Sequence, residues 1–360
     1  MSKRSFTILD LFSGAGGMTR GFVDEGFRTV GAVEIEPSAA ATYGANFGQK
    51  HLYAGSIESF LAEESIPRAD VVVGGPPCQG FSNLGRRDPV DPRNRLWRRH
   101  AEVVQIAQPS AFVVENVDAF YKSDQLKSLR WQCRKGGLLD GYRIAFAKKL
   151  NAADFGVPQK RIRCIVIGVR IDLPDPIVEP THDRSSWVST GDVFDCLSHG
   201  TNGVDLPDDR VATINLKDGR NLSVPGPFHM SEIHLGRRPT KESLARYRAI
   251  PPGGNWTDLG QHLRPPCWQR KSSGTTDVMG RLRVAEPSVT VRTEFYKPEK
   301  GRYLHPVADR PITHAEAATL QGFDSRHLWC GSKVQIARQI GNAVPPALAA
   351  AVARSIRGIL

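Results

Sequence analysis

Thr7-Ile8-Leu9-Asp10-Leu11 runs directly into Phe12-Ser13-Gly14-Ala15-Gly16-Gly17, and a helix-like stretch follows through Phe22. An apolar run broken by glycines and resumed at helical spacing reads as strand, tight turn and helix, the opening unit of an α/β sheet. Glycines at such a turn let a ligand approach the backbone. Glu34, at the end of the next candidate strand, Arg28 to Val33, is positioned to accept hydrogen bonds from ribose hydroxyls. Together they predict a nucleoside cofactor, with an ordinary strand-to-helix turn as the alternative reading of the glycines alone. A dinucleotide fingerprint wants a third small residue where Thr19 stands, which counts against NAD.

The alternation of short apolar runs and helix-like stretches continues. Asp70 to Val73, Ala111 to Val114, Tyr142 to Ala147 and Cys164 to Val169 read as further strands, and Leu96, Val103, Val104 and Ala107 share one face of an intervening helix. This pattern predicts an α/β fold with a doubly wound, mostly parallel sheet over residues 1–174. After Asp172, Pro174, Pro176, Pro180, Pro207, Pro225 and Pro227 punctuate a polar stretch, and a second, smaller domain is expected over 175–285. Residues 286–360 are expected to bridge back. The alanine-rich helix that follows Pro345-Pro346 is amphipathic and needs the apolar surface of the first domain to cover.

Forty-eight Lys and Arg against 37 Asp and Glu give a net charge of +11, which favours a polyanionic partner. The arginines cluster: Arg86, Arg87, Arg93, Arg95, Arg98 and Arg99 in one stretch, Arg237, Arg238, Arg246 and Arg248 in another. Such clusters suit phosphate contacts. The six cysteines are scattered, without the paired spacing of a zinc site or a disulfide framework. Neither a signal peptide nor a membrane span is legible, so a cytoplasmic protein is expected.

The chemistry-bearing segments sit at strand ends. Asp70 to Val73 ends in Gly74-Gly75-Pro76-Pro77-Cys78-Gln79-Gly80-Phe81-Ser82, which puts a thiol on a stiff approach where α/β sheets bind ligands. A lone cysteine is more often a small buried hydrophobe, but Gly and Pro flank this one. Ala111 to Val114 ends in Glu115-Asn116-Val117; a carboxyl at the mouth of an apolar strand can have a raised pKa and donate a proton near neutral pH, while a solvent-exposed strand-terminal acid is the alternative. Arg161 and Arg163, two residues apart, point the same way if extended, and suit a phosphate or a base oxygen; surface salt bridges are the alternative.

Taken in order, DLFSGAGG, GGPPCQGFS, ENV, NAADFGVPQKRIR and RQIGNAVPP resemble the DNA (cytosine-5) methyltransferases of bacterial type over nearly the whole chain. The resemblance implies a class I S-adenosylmethionine-dependent fold with a target-recognition domain. It implies Cys78 as nucleophile, Glu115 as the acid at cytosine ring nitrogen 3, and Arg161 and Arg163 as the paired active-site arginines. For the cofactor it implies Phe12, Gly14, Gly17, Glu34 and Ile35, with Ser56, Ile57, Pro77, Leu96, Asn342 and Val344 completing the pocket. Gln79, Ser82, Arg86, Arg87, Arg237 and Arg238 are the implied DNA contacts. Product S-adenosylhomocysteine, no metal, duplex DNA as partner, a monomer and a nucleoid-associated location follow on the same ground, while the sequence leaves open whether a cognate restriction endonuclease accompanies the enzyme.

The family usually has aspartate where Ser56 stands, and Ile312-Thr313-His314-Ala315-Glu316 departs from its more usual arginine-containing version. A related enzyme acting on transfer RNA is the nearest rival, but its Cys-Phe-Thr signature is missing here. A catalytically dead DNA-binding module would usually have lost Cys78 or Glu115, and both are present.

Overall fold

The computed structural model describes residues 5–62, 65–77, 96–195, 197, 200–217, 219–269 and 277–360, with only the backbone of Cys267. Seven strands form the main sheet: β1 (Thr7–Leu11), β2 (Arg28–Glu34), β3 (Leu52–Ala54), β4 (Val71–Gly74), β5 (Ala111–Val117), β6 (Tyr142–Asn151) and β7 (Ile162–Arg170). Their order is β3-β2-β1-β4-β5-β7-β6, parallel throughout except that β7 runs antiparallel to both neighbours. The six strands expected from the sequence are all present. β3, three residues long, is the addition.

Helices α1 (Gly17–Asp24), α2 (Pro37–Phe47), α3 (Ile57–Ala62), α4 (Leu96–Ala107) and α5 (Asp124–Gln132) are the connections. Strands buried on both faces need continuous apolar runs, which explains why these were legible. On one face Ile8, Val71, Val73, Val113 and Ile167 pack with Met18 and Phe22 of α1. On the other Leu9, Leu11, Val72, Phe112 and Val114 pack with Val103 and Val104 of α4 and Leu126 and Leu129 of α5.

The proline-punctuated stretch contributes only short elements: α6 (Thr190–Phe194), a hairpin of β8 (Val211–Asn215) and β9 (Asn221–Pro225), α7 (Lys241–Ala249) and α8 (Pro266–Gln269). Ile214 and Val224 of the hairpin pack on Ala40, Ala41 and Tyr43 of α2. Val193, Phe194, Phe228 and Ile233 share an apolar cluster with Leu282, Phe295 and Ile312 and with α9 (His314–Leu320) and α10 (Lys333–Asn342). Finally α11 (Pro346–Arg357), with proline at its first turn, sets Leu348, Ala349, Val352 and Ile356 into the β1–α1 face of the sheet. Gly21 makes that seam close, since a Cβ there would stand 2.6 Å from the Cβ of Ala349.

Candidate active site

The turn after β1 carries a non-glycine residue in the left-handed region: Phe12 has φ +59°, followed by Gly14 at +55°. Such a residue costs free energy and persists only where its surroundings hold it. Here Ser13 N–H donates to Val33 O at 3.0 Å, and Gly14 N–H donates to Glu34 Oε2 at 2.8 Å. Glu36 N–H donates to Glu34 Oε1 at 2.8 Å. Glu34 therefore stitches the ends of β1 and β2 together, and each oxygen keeps a further lone pair for a ligand hydroxyl. Burial raises its carboxyl above the usual range, against those N–H bonds.

Two features suit a nucleoside here. Among the described residues, a Cβ on Gly14 would meet nothing within 4 Å, and the buried Ser13 hydroxyl has no hydrogen-bond partner. Ile35, two-thirds exposed, offers apolar surface beside Glu34. Val344 reaches the site from the far end of the chain: a Cβ on Gly17 would overlap its carbonyl oxygen. Asn342, the last residue of α10, and Pro77 are exposed, and Leu96, the first of α4, is half-buried. Two expected contacts change. Ser56 Oγ accepts Ser59 N–H at 3.0 Å and so caps α3, and Ile57 turns its side chain into the core beside Tyr53 and Phe60.

Beyond β4, Asn116 Nδ2 donates to Pro76 O at 2.9 Å, which fixes the Gly75–Pro77 approach. Cys78 itself, with Gln79, Ser82, Arg86 and Arg87, lies outside the described residues. Gly75 leaves room for Glu115: a Cβ there would stand 3.0 Å from Glu115 Oε2. Glu115 is 8% exposed, and Arg163 Nε stands 3.1 Å from its Oε1. The antiparallel register makes the pair, because Val117 lies opposite Arg163 and Glu115 is two residues back along the same face. Burial pushes the Glu115 carboxyl up, and the charges of Arg163 and then Arg161 oppose it. An acid whose pKa burial raises, beside a fixed cation, can donate a proton and have the resulting charge held.

The two arginines have different partners. Arg161 precedes β7 and is 1% exposed, with its guanidinium bonded to the carbonyls of Val291, Gly341 and Ala343. The packed C-terminal segment claims it before any substrate could. Gln159, inside the NAADFGVPQKRIR motif, and Gln321 are the partners in that network, and neither was expected in the site from its residue type alone.

Burial pushes the thiols of Cys133, Cys164 and Cys330 up to about 12, so these three are protonated and poor nucleophiles. Arg237 and Arg238 are exposed at a surface cleft of about 240 Å³ with Asp205 and Lys333. His234 is hydrogen-bonded at both ring nitrogens, its Nδ1 3.0 Å from Thr313 Oγ1 and its Nε2 2.7 Å from Gly200 O. Among the described residues no group of three or more His, Cys, Asp or Glu could hold an ion.

Residues 6–358 match the family model of the C-5 cytosine-specific DNA methylases. The chain belongs to that family. This methylase is 34% identical to the Type II methyltransferase M1.HphI of Haemophilus parahaemolyticus, over 98% of its own length and 87% of the relative's. It is 30% identical to the Type II methyltransferase M.DdeI of Desulfomicrobium norvegicum, over 97% and 88%. A solved structure of a DNA modification methyltransferase encoded within an E. coli prophage aligns with a TM-score of 0.71 at 25% identity, covering 99% of both chains. The methyltransferase EhMeth of Entamoeba histolytica shares the fold, with a TM-score of 0.61 at 15% identity over 99% of both chains. The protein is thus a DNA cytosine-5 methyltransferase of the restriction-modification type. No helix among the described residues is long and apolar enough to cross a membrane.

Proposed function

We propose that this methylase transfers a methyl group from S-adenosylmethionine to carbon 5 of a cytosine flipped out of duplex DNA, through a covalent adduct with Cys78. The observation that carries this reading is the buried Glu115–Arg163 pair beside the Gly75–Pro77 segment that leads into Cys78. Cytosine is a poor nucleophile at carbon 5. Addition of the Cys78 thiolate at carbon 6 turns carbon 5 into an enamine carbon, while Glu115 donates a proton to ring nitrogen 3 and Arg163 holds the carboxylate that remains. Carbon 5 then takes the methyl group and loses its hydrogen as a proton, the electron pair left behind expels Cys78, and ring nitrogen 3 returns its proton to Glu115. S-adenosylmethionine, when bound, supplies an already activated methyl carbon. Flipping the base costs roughly a few kcal/mol in unpairing and unstacking.

Glu34 binds the ribose and Phe12, Gly14, Gly17 and Ile35 line the cofactor cradle. Ser56, Ile57, Pro77, Leu96, Asn342 and Val344 complete it. Residues 175–285 form the target-recognition region, where Arg237 and Arg238 contact DNA, joined by Gln79, Ser82, Arg86 and Arg87 from the catalytic segment 1–174. Residues 286–360 return the chain to the cofactor side. The enzyme acts as a cytoplasmic monomer and protects DNA from a cognate restriction endonuclease.

Incubating the purified enzyme with methyl-labelled S-adenosylmethionine and either duplex DNA or transfer RNA tests this reading. Label should enter duplex DNA, and Cys78→Ser should abolish it while leaving cofactor binding nearly intact. Label in transfer RNA but not in DNA would overturn the substrate, and wild-type rates in Cys78→Ser would overturn the mechanism.

A further inference from the structure

Three fully buried polar side chains tie the start of β7 to segments more than a hundred residues away. Arg161 Nη1 donates to Val291 O at 3.1 Å, and Nη2 donates to Gly341 O at 2.8 Å and Ala343 O at 3.0 Å. Gln159 Oε1 accepts Val291 N–H at 2.9 Å, and its Nε2 donates to Leu320 O at 3.1 Å and to Gln321 Oε1 at 2.5 Å. Gln321 closes the loop, donating from Nε2 to the same Ala343 O at 2.7 Å. All three side chains belong to residues no more than 1% exposed, where such bonds are unscreened and costly to leave unmade.

What this network joins gives it a consequence. At one end, Arg163 is two residues from Arg161 and holds Glu115. At the other, Ala343 precedes Val344, whose carbonyl rests on Gly17 at the start of α1. We propose that Gln159, Arg161 and Gln321 are positioning residues, a clasp that sets the acid side of the site against the cofactor side and so aligns the methyl donor with cytosine carbon 5. In this assignment, which rests on the function proposed above, Arg161 does not touch the base. A loose clasp leaves the chemistry at carbon 6 intact but misplaces the two reactants, and a displacement of about 1 Å can cost about a hundredfold in rate.

The two halves of the reaction can be read separately. An enamine carbon 5 picks up a solvent proton and then releases a hydrogen, so exchange of the cytosine C5 hydrogen needs Cys78 and Glu115 but no methyl donor. Gln321→Leu removes two bonds of the clasp while Arg161 still serves Ala343 O, and Arg161→Lys keeps the charge but replaces the two-nitrogen fork that reaches Val291 O on one side and Gly341 O and Ala343 O on the other with a single nitrogen. Both variants are compared with wild type for C5 hydrogen exchange on duplex DNA without donor, for single-turnover methyl transfer at saturating donor, and for melting temperature. Exchange within about threefold of wild type with methyl transfer reduced about a hundredfold is expected. Parallel loss of both, or loss of neither in the folded Gln321→Leu enzyme, overturns the clasp. Absence of exchange and transfer in the wild type would instead overturn the mechanism beneath it.

Discussion

Asp10 sits in an environment that opposes its charge. It lies fully buried on β1 and accepts the Thr19 hydroxyl at 2.6 Å, which in turn lies 3.2 Å from Tyr43 OH. Burial raises its pKa from 3.8 to about 7, the Thr19 bond opposes the rise, and the nearby charge of Glu34 adds to it. A carboxyl that holds its proton more tightly when folded contributes stability that is fully present below its unfolded pKa and is lost as pH rises through the folded value. Asp10 should therefore cost the protein up to about 4 kcal/mol between pH 4 and pH 8, at about 1.4 kcal/mol per pKa unit. Denaturant midpoints measured across that range should fall more steeply for wild type than for Asp10→Asn; parallel curves would mean that Asp10 ionises freely. Glu115 shifts in the same direction, with burial outweighing Arg163. Methyl transfer should accordingly fall on the alkaline side as Glu115 loses its proton. Glu115→Gln should be slower by about a hundredfold or more and lack that limb. A pH–rate profile of each enzyme decides it, and an unchanged alkaline limb in the variant would assign the ionisation elsewhere.

At the scale of elements, the seam between α1 and α11 depends on the small residue at Gly21, which faces Ala349 and the first turn of α11. Gly21→Ala normally favours a helix, but here the added methyl has no room and should destabilise by about 1–3 kcal/mol. A melting temperature equal to or above wild type would show that α11 shifts freely. The same element shows what the sequence could convey. Alanines spaced along α11 and the apolar runs of β1, β4 and β5 are local patterns, so each was legible without its partners. The hairpin was not, because β8 and β9 bury chiefly Ile214 and Val224 and leave most other positions exposed. β3 is too short to carry a period at all. In the site, Gly14 and Glu34 were legible as candidates because both lie at strand ends of one sheet, whereas the hydrogen bond between them was not. Arg161 was not: spacing makes it a twin of Arg163, while its partners are set by residues 291–343.

Over the whole molecule, the carboxyl edge of the sheet gathers the glycine turn, Glu34, the approach to Cys78 and Glu115 from the first third of the chain, and α10 and α11 bring residues 341–344 back against them. The net charge of +11 adds a long-range attraction for DNA that no single contact accounts for. Arg237 and Arg238, exposed beside Lys333, are placed to neutralise phosphates rather than to read bases if they act through charge alone. Phosphate contacts weaken with salt in proportion to their number, whereas base contacts change which sequence is chosen. Replacing both arginines with alanine should therefore weaken DNA binding similarly on all sequences. The slope of log affinity against log salt should become shallower by about 1–2, with donor binding unchanged. Binding titrations over a range of salt concentrations, together with bisulfite sequencing of a host that expresses each enzyme, separate the two roles. An altered set of methylated cytosines with an unchanged salt slope would make these arginines base readers, and the electrostatic account would then have to rest on other cations.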